Sequence, residues 1–555
     1  MKKSLLIYII LLCAFSVKAQ TLHAKFEGKT TAETKIIDSV SYKKDHANAK
    51  SIADEANLLT NTLQRLGYLE SRELGNIKAN DSLFIYNFSV GEKTKAIHIY
   101  TGTLAQKEKE LLNITKDTIT LGFTEVESFM NTNMALLEQQ GYSISTLQLT
   151  NHTKANHNLI ATLSIKIEKQ RTLDDIVIEG YAKFPEGIRK NITKQYKGKT
   201  FNKNNLQRVY NDFNSLRFVT LPRYPEILFK QDTTKVYVYL QKANANTFDG
   251  FVGFGNDDTS NKVRFNGYVD LALNNIINGG EKFNLYWKSD GNQQTTFNLG
   301  TELPYLFKTP IGAKASLKIF KQDSTFQNTM TDLNLGYYFS YNSKLYLGYQ
   351  RTQSVDIQNA DTSSLTDYES TFFTSTYEYA AFSIDDFLFP QKTTLQLKGG
   401  LGSRDSNTGN QSQYFGQAFA SHNLYLNKKN IINLKSHSYY LKSDTYIINE
   451  LYRFGGINSI RGFNENSLQA NLFTALMAEY RYVLSPGLYI HSITDYGYFQ
   501  DKASNIENNL LSLGFGFGLL TKNGLFNIVY ANGTTKDQSI KLSNSIVHIS
   551  FKASF

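Results

Sequence analysis

His491 and Asp495 stand four residues apart in an alternating apolar segment, so both project from one face, where a hydrolase would keep its base and orienting carboxylate. Such a pair works only beside an activated nucleophile. The chain has no Gly-x-Ser-x-Gly elbow, and its single cysteine, Cys13, falls within the first twenty residues. Its nine histidines are scattered, with no His-Glu-x-x-His spacing for a metal. Gly514, Gly516 and Gly518 superficially match a nucleotide-binding loop, but strand-forming Phe515, Phe517 and Leu519 interleave them and no helix follows. The chain therefore reads as a non-enzyme without cofactor or metal. A membrane-embedded lipase is the enzymatic alternative, and its serine is missing.

The elements that carry these residues begin with a targeting segment. Lys2 and Lys3 precede an apolar run from Leu5 to Phe15, and Val17-Lys18-Ala19 supplies small residues for cleavage before Gln20. The run is too short to span a bilayer, which takes about twenty residues, so a secretory signal peptide is expected over 1–19. Cys13 would leave with it, and the mature chain would use neither disulfides nor thiolate metal sites. The net charge of +10 is spread along the chain, which argues against a nucleic-acid partner. The mean hydropathy of −0.36 is that of a soluble protein. Alternating membrane strands give the same value, and 35 Tyr and 37 Phe against one Trp favour them.

Up to residue 246 helical and strand patterns recur at a period of ~75 residues, the mark of internal repeats. Helix-like stretches Ala47 to Leu66, Glu125 to Gln140 and Asn204 to Leu216 precede strands Ser82 to Val90, Leu159 to Glu168 and Lys235 to Gln241. Three small α+β domains are expected, over 20–95, 96–170 and 171–246.

From residue 247 to 555 the rhythm is purely β. Sixteen alternating segments begin near Phe248, Val263, Lys282, Thr295, Ala313, Thr331, Lys344, Thr371, Thr393, Tyr414, Asn430, Leu472, Leu488, Leu510, Leu525 and Ser545. Each is about nine to fifteen residues long, enough for a tilted strand to cross a bilayer. Short turns such as Asn342-Ser343 and Ser485-Pro486-Gly487 should face the periplasm. Longer polar loops, Ser354 to Asp367, Ser403 to Gln413 and Ser443 to Gln469, should face outward. The last segment sets Val547, Ile549, Phe551, Ala553 and Phe555 on one face, as a closing strand against lipid requires. A 16-stranded antiparallel membrane β-barrel is expected.

The loop between the eleventh and twelfth segments reads Phe454-Gly455-Gly456-Ile457-Asn458-Ser459-Ile460-Arg461-Gly462-Phe463. It resembles the Arg-Gly-aromatic motif of the outer-membrane assembly and secretion superfamily that includes BamA, TamA and the two-partner secretion transporters. The N-terminal repeats are similar to that family's POTRA modules. The resemblance implies that the loop folds into the lumen and that Arg461 pairs with an acidic residue of the thirteenth strand. Asp495, in Ile493-Thr494-Asp495-Tyr496-Gly497, is the first candidate, and Glu479, which shares a face with Arg481, is the second. A guanidinium fork on a carboxylate makes a good latch in a confined site. The plain alternative leaves Arg461 solvated on a mobile loop.

The row Gly514, Gly516 and Gly518 would leave room on the lumen face for close backbone approach. Gly250, Gly253 and Gly255 of the first strand would soften its junction with Phe555 at the other end of the barrel, and the resemblance makes that seam a lateral gate. Ordinary rim glycines are the alternative. The resemblance implies an assembly or translocation factor whose partners are unfolded outer-membrane or secreted polypeptides, outer-membrane lipids and accessory periplasmic or inner-membrane proteins. A transporter for one dedicated secreted protein is the nearer alternative. A passive diffusion porin is the remoter one, and it has no use for periplasmic modules.

Overall fold

A computed structural model describes residues 21–256, 263–289, 294–358, 364–383, 386, 388–407, 409–536 and 545–555. The signal peptide expected over 1–19 lies outside them, as do parts of the outer loops expected at Ser354 to Asp367 and Ser403 to Gln413. The chain divides into two compact units, one running through Thr172 with Thr200–Asn204, the other holding Leu173–Lys199 and Asn205–Phe555.

The first unit contains two four-stranded sheets. In the first sheet Leu22–Gly28 pairs in parallel with Leu83–Ser89, and Arg72–Lys78 forms an exposed edge. Parallel neighbours need a crossover, and helices Thr31–Ser39 and Ala49–Arg65 supply it. Each starts where a side chain caps it: Thr30 accepts from the Glu33 amide, and Asn48 accepts from the Ser51 amide. Ile52, Ala56, Leu59 and Leu63 then return to one buried face against Phe26 and Phe88. The second sheet repeats the plan. Ala96–Tyr100 lies parallel to Asn158–Lys166, Thr146–Ala155 is an edge, and Val126–Gln139 buries Leu137 on Ile97 and Leu163. Periodicity points to one helix per sheet, whereas two are present. The additional ones, Thr31–Ser39 and Gln106–Leu111, bury one residue and none, so they leave no apolar stripe to detect.

The second unit opens with a three-stranded sheet in which Asp175–Glu179 is parallel to Thr234–Tyr239. It then becomes a closed barrel of sixteen antiparallel strands. We label these β1 (Thr247–Asn256), β2 (Val263–Asn274), β3 (Lys282–Ser289), β4 (Thr295–Leu303), β5 (Ile311–Gln322), β6 (Phe326–Ser340), β7 (Ser343–Asp356), β8 (Tyr368–Phe382), β9 (Gln391–Ser406), β10 (Gln411–Tyr425), β11 (Asn430–Lys442), β12 (Leu472–Ser485), β13 (Leu488–Asp501), β14 (Ile506–Thr521), β15 (Gly524–Thr535) and β16 (Ile546–Ser554). Alternation puts large apolar side chains outside, as at Phe373 and Leu401, 76% and 72% exposed. Lys344, Arg404 and Asp495 point inward and are buried. Closing the ladder removes the free edges of an open sheet everywhere but at the β1–β16 junction, and the outer face is apolar. This is a barrel built to cross a membrane by its strands. Among the described residues no helix is long and apolar enough to cross a membrane.

Several strands start earlier than the alternation indicates, β6 at Phe326 and β14 at Ile506. The expected outer loop from Ser403 to Gln413 is largely strand. Its ends pair as Ser403↔Ser412 and Arg404↔Gln411, and the strands run to Ser406 and from Gln411. Polar side chains beyond the hydrocarbon do not interrupt a ladder that the backbone alone maintains. The small domain of this unit packs on the short turns. The Asn191 amide donates to the Lys308 carbonyl at 3.0 Å, the Tyr181 hydroxyl donates to Asn278 at 3.2 Å, and Phe218 meets Tyr341 edge-on. The short turns β2–β3, β4–β5 and β6–β7 therefore lie at the end of the barrel that this small domain covers.

Candidate functional site

The chain between β11 and β12 returns into the lumen. A short hairpin, Tyr452–Phe454 with Leu468–Ala470, lifts it off the wall, and Phe454 stacks on Phe473 with ring centroids 4.1 Å apart. Gly455 and Gly456 both adopt left-handed backbone, φ 107° and 91°, and a Cβ on Gly455 would strike the Asn464 carbonyl. The turn is closed by the Gly456 amide donating to the Phe463 carbonyl at 3.0 Å. This geometry aims Ile460 and Arg461 at β12 and β13.

Arg461 binds both candidate carboxylates at once. Its backbone amide and Nε donate to Asp495 Oδ2 at 3.1 and 2.9 Å, Nη2 donates to Oδ1 at 2.5 Å, and Nη1 donates to Glu479. Arg461, Asp495 and Glu479 are 4%, 0% and 6% exposed, so the pair is held away from bulk water. Glu479 also accepts from Arg481 Nε at 2.8 Å and lies 3.7 Å from Lys435 Nζ. Three cations thus surround two carboxylates. Ile460 is fully buried over Gly497, where a Cβ would come 3.1 Å from Ile460 Cδ1.

Gly462, at φ 76°, lies directly on the backbone of β15. A Cβ there would come 2.7 Å from the Asn532 carbonyl carbon, and one on Gly533 would come 2.5 Å from the Gly462 carbonyl oxygen. The Phe463 ring covers Gly533. This is the close backbone approach anticipated at Gly514, Gly516 and Gly518, moved one strand along. Over Gly516 and Gly518 the space is taken by His491 and Tyr489 of β13, and a Cβ on Gly514 would strike the Tyr530 carbonyl of β15, so the row meets the wall and not the loop. Residue spacing does not reveal that β15 is the strand beneath the tip, though an isolated strand glycine at 533 is a signal of close approach.

The beginning of the loop has anchors that sequence reasoning missed. Asn449 Nδ2 donates to Ser354 Oγ and the Thr366 carbonyl, both at 2.8 Å, and the Asn449 carbonyl accepts from Asn328 at 2.6 Å. Glu450 accepts from Arg404 Nη1 at 2.6 Å and from Gln413 at 2.8 Å. Nothing in a single sequence joins residues so far apart.

The barrel closes unevenly. Among the described residues β16 and β1 pair only as Thr247↔Ser554 and Phe248↔Ala553, extended by mutual backbone bonds between Asn246 and Phe555 at 3.3 and 3.0 Å. Gly250, Gly253 and Gly255 lie on β1 opposite Val269, Asn266 and Arg264 of β2. Inside this junction is a cavity of about 670 Å³, lined by Arg461, Glu465, Lys288, His491, Asn527 and His548 among others.

No protein-family model and no curated protein matches this sequence. Solved structures do match in fold. CdiB from Escherichia coli aligns with a TM-score of 0.50 at 14% identity, over 91% of this chain and 97% of that one. CdiB from Acinetobacter baumannii gives 0.50 at 12%, over 84% and 91%. BamA from Haemophilus ducreyi lacking POTRA domains 1–3 gives 0.48 at 14%, over 81% and 98%. With sixteen strands closed into a barrel and small α+β domains ahead of them, the chain shares the fold of the two CdiB structures.

Proposed function

We propose that this protein inserts or exports polypeptides at the outer membrane. Its three α+β domains, taken at 20–95, 96–170 and 171–246, serve as POTRA-like docking modules, and the β1–β16 junction is the route that clients engage. The observation that carries this reading is a seam paired at two register positions beside a lumen loop held by a buried charge pair. The exposed edge strand Arg72–Lys78 and the edge Thr146–Ala155 offer unpaired backbone to extended clients by β-augmentation. Arg461 with Asp495 and Glu479 acts as the latch that keeps the loop in place. Against a passive pore stands the loop itself, fixed across the lumen at Glu450 and Arg461.

A photo-crosslinking residue placed at Phe248 or Phe555 in intact cells should capture polypeptide clients, and one at lipid-facing Phe373 should not. Many adducts indicate a general assembly factor, and one dominant adduct indicates a dedicated secretion transporter. Equal capture at all three positions, or none at any, removes the seam from the mechanism.

A further inference from the structure

We infer that Glu465 is a positioning residue that ties the N-terminal side of the seam to the lumen loop, making residues 461–466 a clasp across the junction. The inference rests on taking the β1–β16 gap as the working seam. In order around the wall, the strands near it run β12, β13, β14, β15, β16, β1, β2, β3, β4. Arg461 holds β12 and β13 through Glu479 and Asp495, and Gly462 lies on β15 at Gly533. Three residues later Glu465 reaches β3. It forms an ion pair with Lys288, and the Tyr286 hydroxyl donates to its Oε1 at 3.0 Å. Asn466 Nδ2 then donates to Thr296 Oγ1 on β4 at 3.4 Å.

The loop therefore crosses the inside of β16, β1 and β2 and fastens on both sides of the weakest ladder. The reach fits. Four strand spacings amount to ~19 Å of wall, three residues reach at most ~10 Å, and the long Glu465 and Lys288 side chains, meeting on the inside of the curve, supply the remainder. A second cross-seam contact, Lys552 on β16 with Asp270 on β2, is looser at 3.9 Å, with both side chains exposed. The two ends of the clasp differ in strength. Arg461 and Asp495 are buried, whereas the Glu465 and Lys288 side chains are 26% and 38% exposed. Charges left near water pair weakly, so the β3 end releases first and lets the seam part while Arg461 stays seated.

The test uses the full-length protein purified into lipid bilayers without client. Spin labels are placed on Leu285→Cys in β3 and Ile549→Cys in β16. Cys13, the only native cysteine, lies in the expected signal peptide and does not compete for label. Glu465→Gln should raise the population of longer label-to-label distances about fivefold, the effect of losing one partly exposed charge pair. The exchange Glu465→Lys with Lys288→Glu should restore the wild-type distribution. Heat-modifiable migration on gels should remain that of a folded barrel throughout. Distances in Glu465→Gln that match wild type would overturn the clasp, and so would an exchange variant that stays displaced. Because no client is present, failure of client crosslinking at Phe248 and Phe555 would sink the assembly reading while leaving this measurement to stand.

Discussion

The far wall of the barrel and its seam are built from the same kind of strand and are held by different means. β8 and β9 pair at fifteen register positions, β16 and β1 at two. Each ladder hydrogen bond contributes on the order of 1 kcal/mol net, so the wall resists parting far more than the seam does. Buried charge is present on both sides. At the wall, Lys398 of β9 with Asp332 of β6 joins strands that are already zipped to their neighbours, and Arg404 of β9 with Glu450 anchors the start of the lumen loop to that wall. At the seam, Arg461 with Asp495 and Glu479 lies on a loop crossing a gap that the ladder leaves open. Interior contacts substitute there for strand pairing. Strand pairing is broken only by local unfolding, whereas a loop contact can be released and remade.

The sharpest way to break this comparison is to lock each region. A disulfide between Thr247→Cys and Ser554→Cys should cut client assembly by more than about tenfold until reductant is added, if clients need the open state. A matching disulfide between Ser375→Cys and Gly399→Cys on the far wall should leave assembly intact. Equal effects from the two would erase the distinction.

Next in size is the seating of the loop tip. Gly462→Val adds a side chain at φ 76° against the β15 backbone and should cost about 3 kcal/mol or more of loop docking. It would be read as faster proteolysis at the loop in an otherwise heat-modifiable barrel. Gly409→Val, at φ 100° but with nothing within 4 Å, should show only the backbone strain of about 1–2 kcal/mol. Similar losses would mean that Gly462 matters for its conformation and not for its contact.

Arg461→Ala strips Asp495 of its guanidinium partner and should weaken loop docking by roughly 3 kcal/mol. Glu479 is buffered by Arg481 and Lys435. Asp495→Ala should match Arg461→Ala, and the double variant should add little, because both changes remove one contact. Strictly additive protease sensitivity would separate the two residues. The smallest effect is expected on the far wall. Arg351→Ala breaks a bidentate pair with Glu369 whose side chains are 46% and 40% exposed, and should change barrel stability by less than about 1 kcal/mol. A loss as large as that of Arg461→Ala would show that exposure does not separate the two pairs.

What the sequence by itself determined is whatever depends on one residue and its immediate surroundings. Each barrel strand has one face in lipid, so a period of two is forced on it, and strands such as β2, β3, β4, β11, β12 and β13 start where the alternation starts. The same rule placed Asp495 and Glu479 together on the lumen face, and the run Phe454 to Phe463 stood out by its resemblance to the Arg-Gly-aromatic loop motif. Where a residue meets no apolar phase the pattern fails. The polar ends of β9 and β10, the exposed edge Arg72–Lys78 and the short helices Thr31–Ser39 and Gln106–Leu111 carry no alternation or stripe. Tertiary structure alone decided which lumen faces meet. It made Asp495 and Glu479 simultaneous partners of Arg461, added Lys435, set Gly462 on Gly533 and not on the β14 row, and carried Glu465 to Lys288. The reason is closure. Strand number, tilt and register together set which side chains face one another across the lumen, and that geometry is a property of the whole ring, which no local period of residues records.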